Sequence, residues 1–134
     1  MKQIITALFL LVSSVVMAQV QKKNPTSVAD KPVADSALGT WVIDLRPTPD
    51  SEPYLKDFKF RKIEGKQFEG EFYGYPFSGG FLNFDWDKIY FAFTTADQSG
   101  TYFHSGYIEG NKVFGLSLNE NRKFVLPWKG ERKK

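Results

Sequence analysis

The chain has 134 residues, of which 42% are hydrophobic, 16% aromatic and 25% charged, and its formal net charge is +3. This composition is typical of a folded globular domain, and it excludes intrinsic disorder, collagen-like chains and coiled coils. The absence of cysteine excludes disulfides, thiolate nucleophiles and cysteine-bound zinc or iron–sulfur clusters. The net charge is too small to indicate nucleic acid as a partner.

The first 18 residues are typical of a bacterial signal peptide. Lys2 precedes an apolar run from Ile4 to Met17, and Ala18 is the small residue at the expected cleavage point. The run is shorter than the ~20 apolar residues that a membrane-spanning helix needs. We therefore predict cleavage after Ala18 and export to the periplasm or the cell exterior, without stable membrane insertion of the mature protein.

Residues 19–38 differ from the rest of the chain in composition. They include Pro25 and Pro32 and contain no aromatic residue, so they have little to bury. Such a segment is typical of an exposed connection. We predict a flexible linker here.

The aromatic residues define the folded domain. All of them except Phe9 lie between Trp41 and Trp128, which places a barrel domain at residues 39–130. Residues 131–134 form a predicted basic tail. A basic tail can attract an anionic surface, but a solvated terminus is the simpler interpretation.

Within the domain, apolar and polar residues alternate with a period of two, the pattern of β-strands, and helix is expected to be a minor component. Short runs of turn residues separate the strands, so consecutive strands are expected to be antiparallel neighbours. Pairing of the first strand with the last removes both exposed edges. The sequence therefore predicts an all-β, eight-stranded, antiparallel up-and-down barrel. Its predicted strands are Thr40–Leu45, Tyr54–Ile63, Gln67–Tyr73, Phe77–Phe84, Lys88–Thr95, Thr101–Ile108, Lys112–Leu118 and Lys123–Trp128.

The alternation also predicts which side chains face the barrel interior. In the third strand, Phe68 and Phe72 share one face, whereas Glu69 and Glu71 share the other. The fifth strand is apolar on both faces. We therefore expect its outer face to be covered by the N-terminal segment, a loop or a partner.

The residues Gly39-Thr40-Trp41 open the first predicted strand. This Gly-x-Trp start, behind a signal peptide and ahead of a strand meander, resembles that of the lipocalins and related calycin barrels. It also resembles the opening of the avidins, and Gly70-Glu71-Phe72-Tyr73 is similar to their early Gly-x-x-Tyr strand. The run Gly39–Leu45, together with Tyr90–Thr95, is similar to small secreted bacterial proteins with lipocalin-like domains.

The calycin resemblance implies a structural plug at the closed end of the barrel. Gly39 and Trp41 would form this plug, with a basic side chain from the end of the last strand over the indole. Arg122, Lys129 and Arg132 are the candidates for that basic side chain. The resemblance implies no particular activity.

His104 is the only histidine, so most catalytic hypotheses depend on it. Its neighbour Ser105 points to the opposite face of a strand, and the two side chains cannot share the hydrogen bond that activates a serine. We interpret His104 as a core or lumen residue, with ligand contact as the alternative. No spacing of histidine and carboxylates indicates a metal site, and Asp85-Trp86-Asp87 predicts a turn.

Two other patterns of acidic residues bear on catalytic hypotheses. Glu69 and Glu71 lie about 6–7 Å apart on a strand, close to the separation that glycosidases use. Because their face is opposite Phe68 and Phe72, we expect hydrated carboxylates with ordinary pKa values. Asp97-Gln98-Ser99-Gly100 lacks the order of an aspartic protease motif and predicts a hairpin turn.

A lumen of this size accommodates either side chains or one small ligand. The sequence fits both a filled lumen and an open pocket. Gly70, Gly79, Gly80, Gly106 and Gly115 fit either bends in the strands or room inside them. The predicted ligand-binding residues, of which the last two supply polarity, are Phe68, Phe72, Phe91, Phe93, Tyr102 and His104.

The favoured function is a secreted, non-catalytic barrel that carries or senses a small apolar ligand. The alternative is a protein-binding module, such as a barrel-type protease inhibitor, that uses residues 19–38 or an outer aromatic face. An enzyme is the least favoured class, and no cofactor or metal is predicted. Proline cannot donate a hydrogen bond to a sheet ladder. If closure depends on backbone pairing at Pro127, the barrel is expected to be partly open.

Overall fold

A computed structural model describes residues 32–134. The predicted signal peptide and residues 19–31 of the predicted linker lie outside the described residues. A short 3₁₀ helix, Ala34–Ala37, precedes eight strands. The strands are β1 Gly39–Asp44, β2 Leu55–Glu64, β3 Gln67–Phe72, β4 Tyr75–Asn83, β5 Ile89–Asp97, β6 Gly100–Glu109, β7 Lys112–Asn119 and β8 Phe124–Arg132.

The strands pair in chain order to form a closed antiparallel barrel, which confirms the predicted fold class. β1 and β8 close the barrel through pairs that run from Trp41 opposite Arg132 to Asp44 opposite Lys129. Pro127 precedes these closing residues and lies opposite Leu116 of β7. The proline therefore lies outside the pairs that join the first strand to the last.

The barrel has a closed end, where β1 begins, and an open end, where β1 leads into residues 45–54. At the closed end Trp41 is fully buried, and its Nε1 donates to the carbonyl of Ala37 at 3.0 Å. The Arg132 guanidinium lies 4.3 Å from the centre of the indole. It donates to the carbonyl of Leu38 at 2.8 Å and also to that of Ser36. Arg132, rather than Arg122 or Lys129, is thus the basic residue over Trp41.

These contacts correct two predicted boundaries. Residues 34–38 belong to the folded end of the barrel rather than to a flexible linker, because their carbonyls accept hydrogen bonds from Trp41 and Arg132. Glu131 and Arg132 belong to β8 rather than to a tail, because they pair with β1.

Aromatic rings fill the barrel from the closed end to its middle. Phe58 and Phe93 stack with their centroids 5.1 Å apart, and Phe60 and Phe68 do so at 4.8 Å. Two glycines make room for this packing, since a Cβ at Gly80 would overlap the Phe68 ring and one at Gly115 would overlap the Trp128 ring. The filled part of the lumen contains Phe58, Phe60, Phe68, Phe77, Phe91, Phe93 and Trp128.

Candidate functional site

A cavity of about 360 Å³ lies at the open end of the barrel, above the aromatic core. Its walls are mainly apolar and include Leu45, Phe72, Phe124 and Leu126. The lumen is therefore both filled and open: rings occupy one part, and a pocket remains in the other.

The loop between β1 and β2 forms one side of the cavity mouth. Asp44 Oδ1 accepts hydrogen bonds from the backbone N–H groups of Arg46 and Tyr54, each at 3.1 Å. The Arg46 guanidinium also donates to this carboxylate, and mainly for that reason the pKa of Asp44 is lowered to about 2. An ionised Asp44 thus ties the two ends of the loop together and places Tyr54 at the mouth.

Three tyrosines continue this side of the mouth. The hydroxyls of Tyr54 and Tyr73 form a hydrogen bond, and the rings of Tyr73 and Tyr75 lie nearly parallel with centroids 6.4 Å apart. The hydrogen bond lowers the pKa of Tyr54 and raises that of Tyr73. Lys56 Nζ lies 4.7 Å from the centre of the Tyr54 ring and 5.0 Å from that of Tyr73. The rings are thereby held in place by a cation–π contact.

Arg122 forms the opposite side of the mouth. Its Nη1 donates to the Tyr102 hydroxyl at 2.9 Å, and its guanidinium carbon lies 5.2 Å from the centre of the Phe124 ring. The hydrogen bond to Tyr102 raises the pKa of Arg122. Asn119 is buried below it and accepts from the Arg122 backbone N–H at 3.0 Å. Asn119 thereby fixes the turn that carries the arginine.

The wall between β4 and β5 has the fewest backbone pairs in the barrel. These two strands pair only from Phe81 opposite Ala92 to Asn83 opposite Tyr90. Their open-end residues, which include Tyr75 and Thr95, line the cavity without pairing with each other. At the mouth, the β4–β5 wall is therefore not joined by backbone pairs.

The floor of the cavity is polar and centres on His104, which is 4% exposed. His104 Nδ1 lies 2.7 Å from Ser117 Oγ, and Nε2 lies 2.9 Å from Thr95 Oγ1. Trp128 Nε1 donates to the same Ser117 oxygen at 2.8 Å. A chain of hydrogen bonds thus runs from the buried indole through the imidazole to the cavity.

Burial controls the protonation of this imidazole. Its ring stacks on the Phe93 ring, with the two centroids 4.6 Å apart. The centroid of the Phe72 ring lies 4.3 Å from that of the imidazole. Desolvation lowers the pKa of His104 to about 4. A neutral imidazole of such low basicity is a weak general base for the Ser117 hydroxyl at neutral pH. The arrangement is suited to orienting polar groups under a ligand.

The cavity contains three of the predicted ligand-binding residues, namely Phe72, Tyr102 and His104. Phe68, Phe91 and Phe93 face the interior as predicted, but they pack in the ring core and do not line the cavity. Alternation along a strand assigns a side chain to a face but not to a depth along the barrel axis. For that reason the sequence did not separate core phenylalanines from cavity phenylalanines.

Several cavity residues were not predicted. Ser117 on β7 lies directly opposite His104, and Thr95 on β5 lies opposite Tyr102, two residues from His104. Alternation and register therefore identify both residues once the strand pairing is known.

Tyr54 and Arg122 lie at a strand start and in a turn, where alternation gives no signal. Alternation within the predicted strand Gln67–Tyr73 places Tyr73 on the outer face with Glu71, which is wrong. The strand ends at Phe72, and Tyr73 has a φ of 53° in the turn that follows, so its ring lines the cavity instead. Leu45, Tyr75, Phe124 and Leu126 complete the unpredicted residues that the site uses.

Glu69 and Glu71 lie away from the cavity, whereas Asp97 lies at its edge. Glu71 pairs with Lys59 at 2.8 Å and with Arg61, and the hydrogen bond from Lys59 lowers its pKa. The expectation of an ordinary pKa is thus wrong for Glu71, and the shift is opposite to that of a general acid. Asp97 accepts from the Ser99 backbone N–H at 2.7 Å in the predicted hairpin turn. Among residues 32–134, no cluster of histidine and carboxylates is arranged to hold a metal ion.

The outer face of β5–β8 is rich in apolar side chains. Tyr90 on β5 is 37% exposed, and Phe103, Leu116 and Val125 are 46%, 40% and 65% exposed on the following strands. No loop in the described part of the chain covers them, contrary to one of the expectations for the fifth strand. Protein binding through this face or through residues 19–38 stays a prediction.

Comparison of the chain with protein family profiles, curated proteins and solved structures finds no match. Within residues 32–134, no helix has the length and apolar character needed to cross a membrane.

Proposed function

We propose that this protein is a secreted, non-catalytic barrel that binds one small, largely apolar molecule in its open-end cavity. The cavity of about 360 Å³ carries this proposal. Its size is at the lower end of the ~300–1,000 Å³ typical of small-molecule sites, which are mostly apolar with a few placed polar groups. The walls formed by Leu45, Phe72 and Leu126 above the His104 floor fit that description.

The proposal includes a lipocalin-like ancestry and export from the cell. The ancestry is supported by Trp41, which lies buried under Arg132 at the closed end in the arrangement that the calycin resemblance implies. Export is supported by the signal-peptide pattern of residues 1–18.

A non-catalytic role is supported by the state of the polar floor. Both nitrogens of His104 and the Ser117 hydroxyl are engaged within the protein. The low pKa of His104, about 4, leaves it a weak base at neutral pH. These groups can orient a ligand without accepting a proton from it.

The test is a pair of tryptophan substitutions on β8. Leu126 is 9% exposed and lines the cavity, whereas its neighbour Val125 is 65% exposed on the outer face. Leu126→Trp places an indole in the cavity, and Val125→Trp is the matched control. Each variant and the parent protein are titrated with 2-acetylnaphthalene, with binding followed by shifts of assigned backbone amide signals.

We expect saturable binding to the parent protein and to Val125→Trp, with the largest shifts at Phe72, His104 and Leu126. Binding to Leu126→Trp is expected to be lost because the indole occupies the space. Thermal unfolding verifies that all three proteins are folded. Equal binding to both variants, or no binding to the parent, would contradict the proposal.

A further inference from the structure

Trp128 fixes one of the hydrogen bonds under the cavity. An indole N–H can only donate, so Ser117 Oγ accepts the bond from Trp128 Nε1 at 2.8 Å. The Ser117 oxygen also lies 2.7 Å from His104 Nδ1, and His104 Nε2 lies 2.9 Å from Thr95 Oγ1. Because burial keeps the imidazole neutral, one of its nitrogens donates and the other accepts.

Two arrangements of protons satisfy the imidazole. In the first, the Ser117 hydroxyl donates to Nδ1, and Nε2–H donates to Thr95, whose own hydroxyl proton is left without a partner. In the second, Nδ1–H donates to Ser117, and the Ser117 proton is the one left over. Ser117 is only 4% exposed, whereas Thr95 is half-buried at the cavity surface. A buried donor without a partner loses its hydrogen bonds to water and gains none in return. The first arrangement is favoured because its unpaired proton is on Thr95, which the cavity exposes, rather than on the buried Ser117.

The first arrangement turns the polar floor into a hydrogen-bond donor. Thr95 Oγ1 accepts from His104 and presents its O–H to the cavity, where it has no other partner among the described residues. The cationic group in the cavity lining, Arg122, lies at the mouth and is engaged with Tyr102. A ligand carboxylate at the floor would have one hydroxyl donor and no cation, which is costly for a buried charge.

We propose that the cavity selects apolar ligands that carry a neutral hydrogen-bond acceptor, such as a carbonyl or ether oxygen, at the end that lies against Thr95. This inference rests on the proposed function, and it adds the chemical class of the ligand. The Thr95 hydroxyl sets this preference. His104 is a positioning residue that holds the hydroxyl in its donor orientation.

The test compares two ligands of similar size, 2-acetylnaphthalene and 2-ethylnaphthalene. The first has a carbonyl group where the second has a methylene group. The measured quantity is the ratio of their dissociation constants. Thr95→Val keeps the shape of the side chain and removes the hydroxyl, and Thr95→Ser keeps the hydroxyl. Thr94→Val is the matched control, because Thr94 is exposed on the outer face of the same strand.

We expect the parent protein, Thr95→Ser and Thr94→Val to prefer the ketone. The preference is expected to fall about fivefold in Thr95→Val, the effect of one net hydrogen bond. Equal binding of both ligands to the parent would overturn the acceptor preference and leave the proposed function standing. Binding of neither ligand would overturn both.

A second measurement reads the proton arrangement directly and does not require a ligand. The chain has one histidine, so the imidazole ¹⁵N signals belong to His104 without further assignment. We expect the shifts of a neutral ring protonated at Nε2 at neutral pH. A ring protonated at Nδ1 would overturn the inference.

Discussion

His104 is held neutral in the floor of the cavity, and this affects the stability of the protein in acid. Its pKa is lowered from 6.5 to about 4 because its ring is buried. As the pH falls below 6.5, the unfolded chain binds a proton that the folded protein does not. The contribution of the neutral imidazole to the free energy of unfolding is therefore complete above pH 6.5 and is lost progressively towards pH 4.

We expect this loss to be about 3 kcal/mol between pH 7 and pH 4. His104→Gln has no titrating group there and is expected to lack that part of the acid destabilisation. Urea unfolding of both proteins at the two pH values gives the comparison, and the contribution of carboxylates cancels between them. An identical pH dependence in the two proteins would show that burial does not lower the pKa of His104.

At the scale of residues, the sequence predicted the faces of side chains better than their partners. The inward position of His104 and its separation from Ser105 followed from alternation alone. Its contact with Ser117 did not, because it depends on the register between β6 and β7. Similarly, the choice of Arg132 over Arg122 required the length of β8, which pairing with β1 determines.

At the scale of strands, close packing between β7 and β8 depends on a glycine. A Cβ at Gly115 would overlap the Trp128 ring, which is 5% exposed in the core. Gly115→Ala is expected to lower the free energy of unfolding by about 2 kcal/mol, because an added methyl group forces the ring to shift. Chemical denaturation measures this loss.

The control for this prediction is Trp128→Phe, which removes the part of the ring that the methyl group meets. Adding Gly115→Ala to this variant is expected to cost clearly less than adding it to the parent protein. Equal costs in the two backgrounds would mean that overlap with Trp128 is not the cause.

Strand positions were predictable because the period-two pattern and the turn residues are local. The end of β8 was not, since Lys129, Glu131 and Arg132 are polar and have the composition of a solvated terminus. Their place in the sheet comes from backbone pairing with β1, a contact between distant parts of the chain. The packed 3₁₀ helix at Ala34–Ala37 was missed for a similar reason, because Trp41 and Arg132 hold it in place.

At the scale of the whole molecule, closure followed from the cost of two unpaired edges, and the structure has it. The division of the lumen into a packed part and a cavity did not follow from composition. It depends on how the rings of Phe58, Phe77 and Phe93 stack across the barrel. That stacking is a property of all the strands together, so it appears only when the barrel is assembled.

We propose that the space above the aromatic core is a ligand site. A crystal structure of the protein grown with 2-acetylnaphthalene tests it most directly. We predict density for the naphthalene between Phe72 and Leu126, with its oxygen within hydrogen-bond distance of Thr95 Oγ1. Side chains collapsed into the cavity, or a naphthalene bound only on the outer face of β5–β8, would contradict the claim.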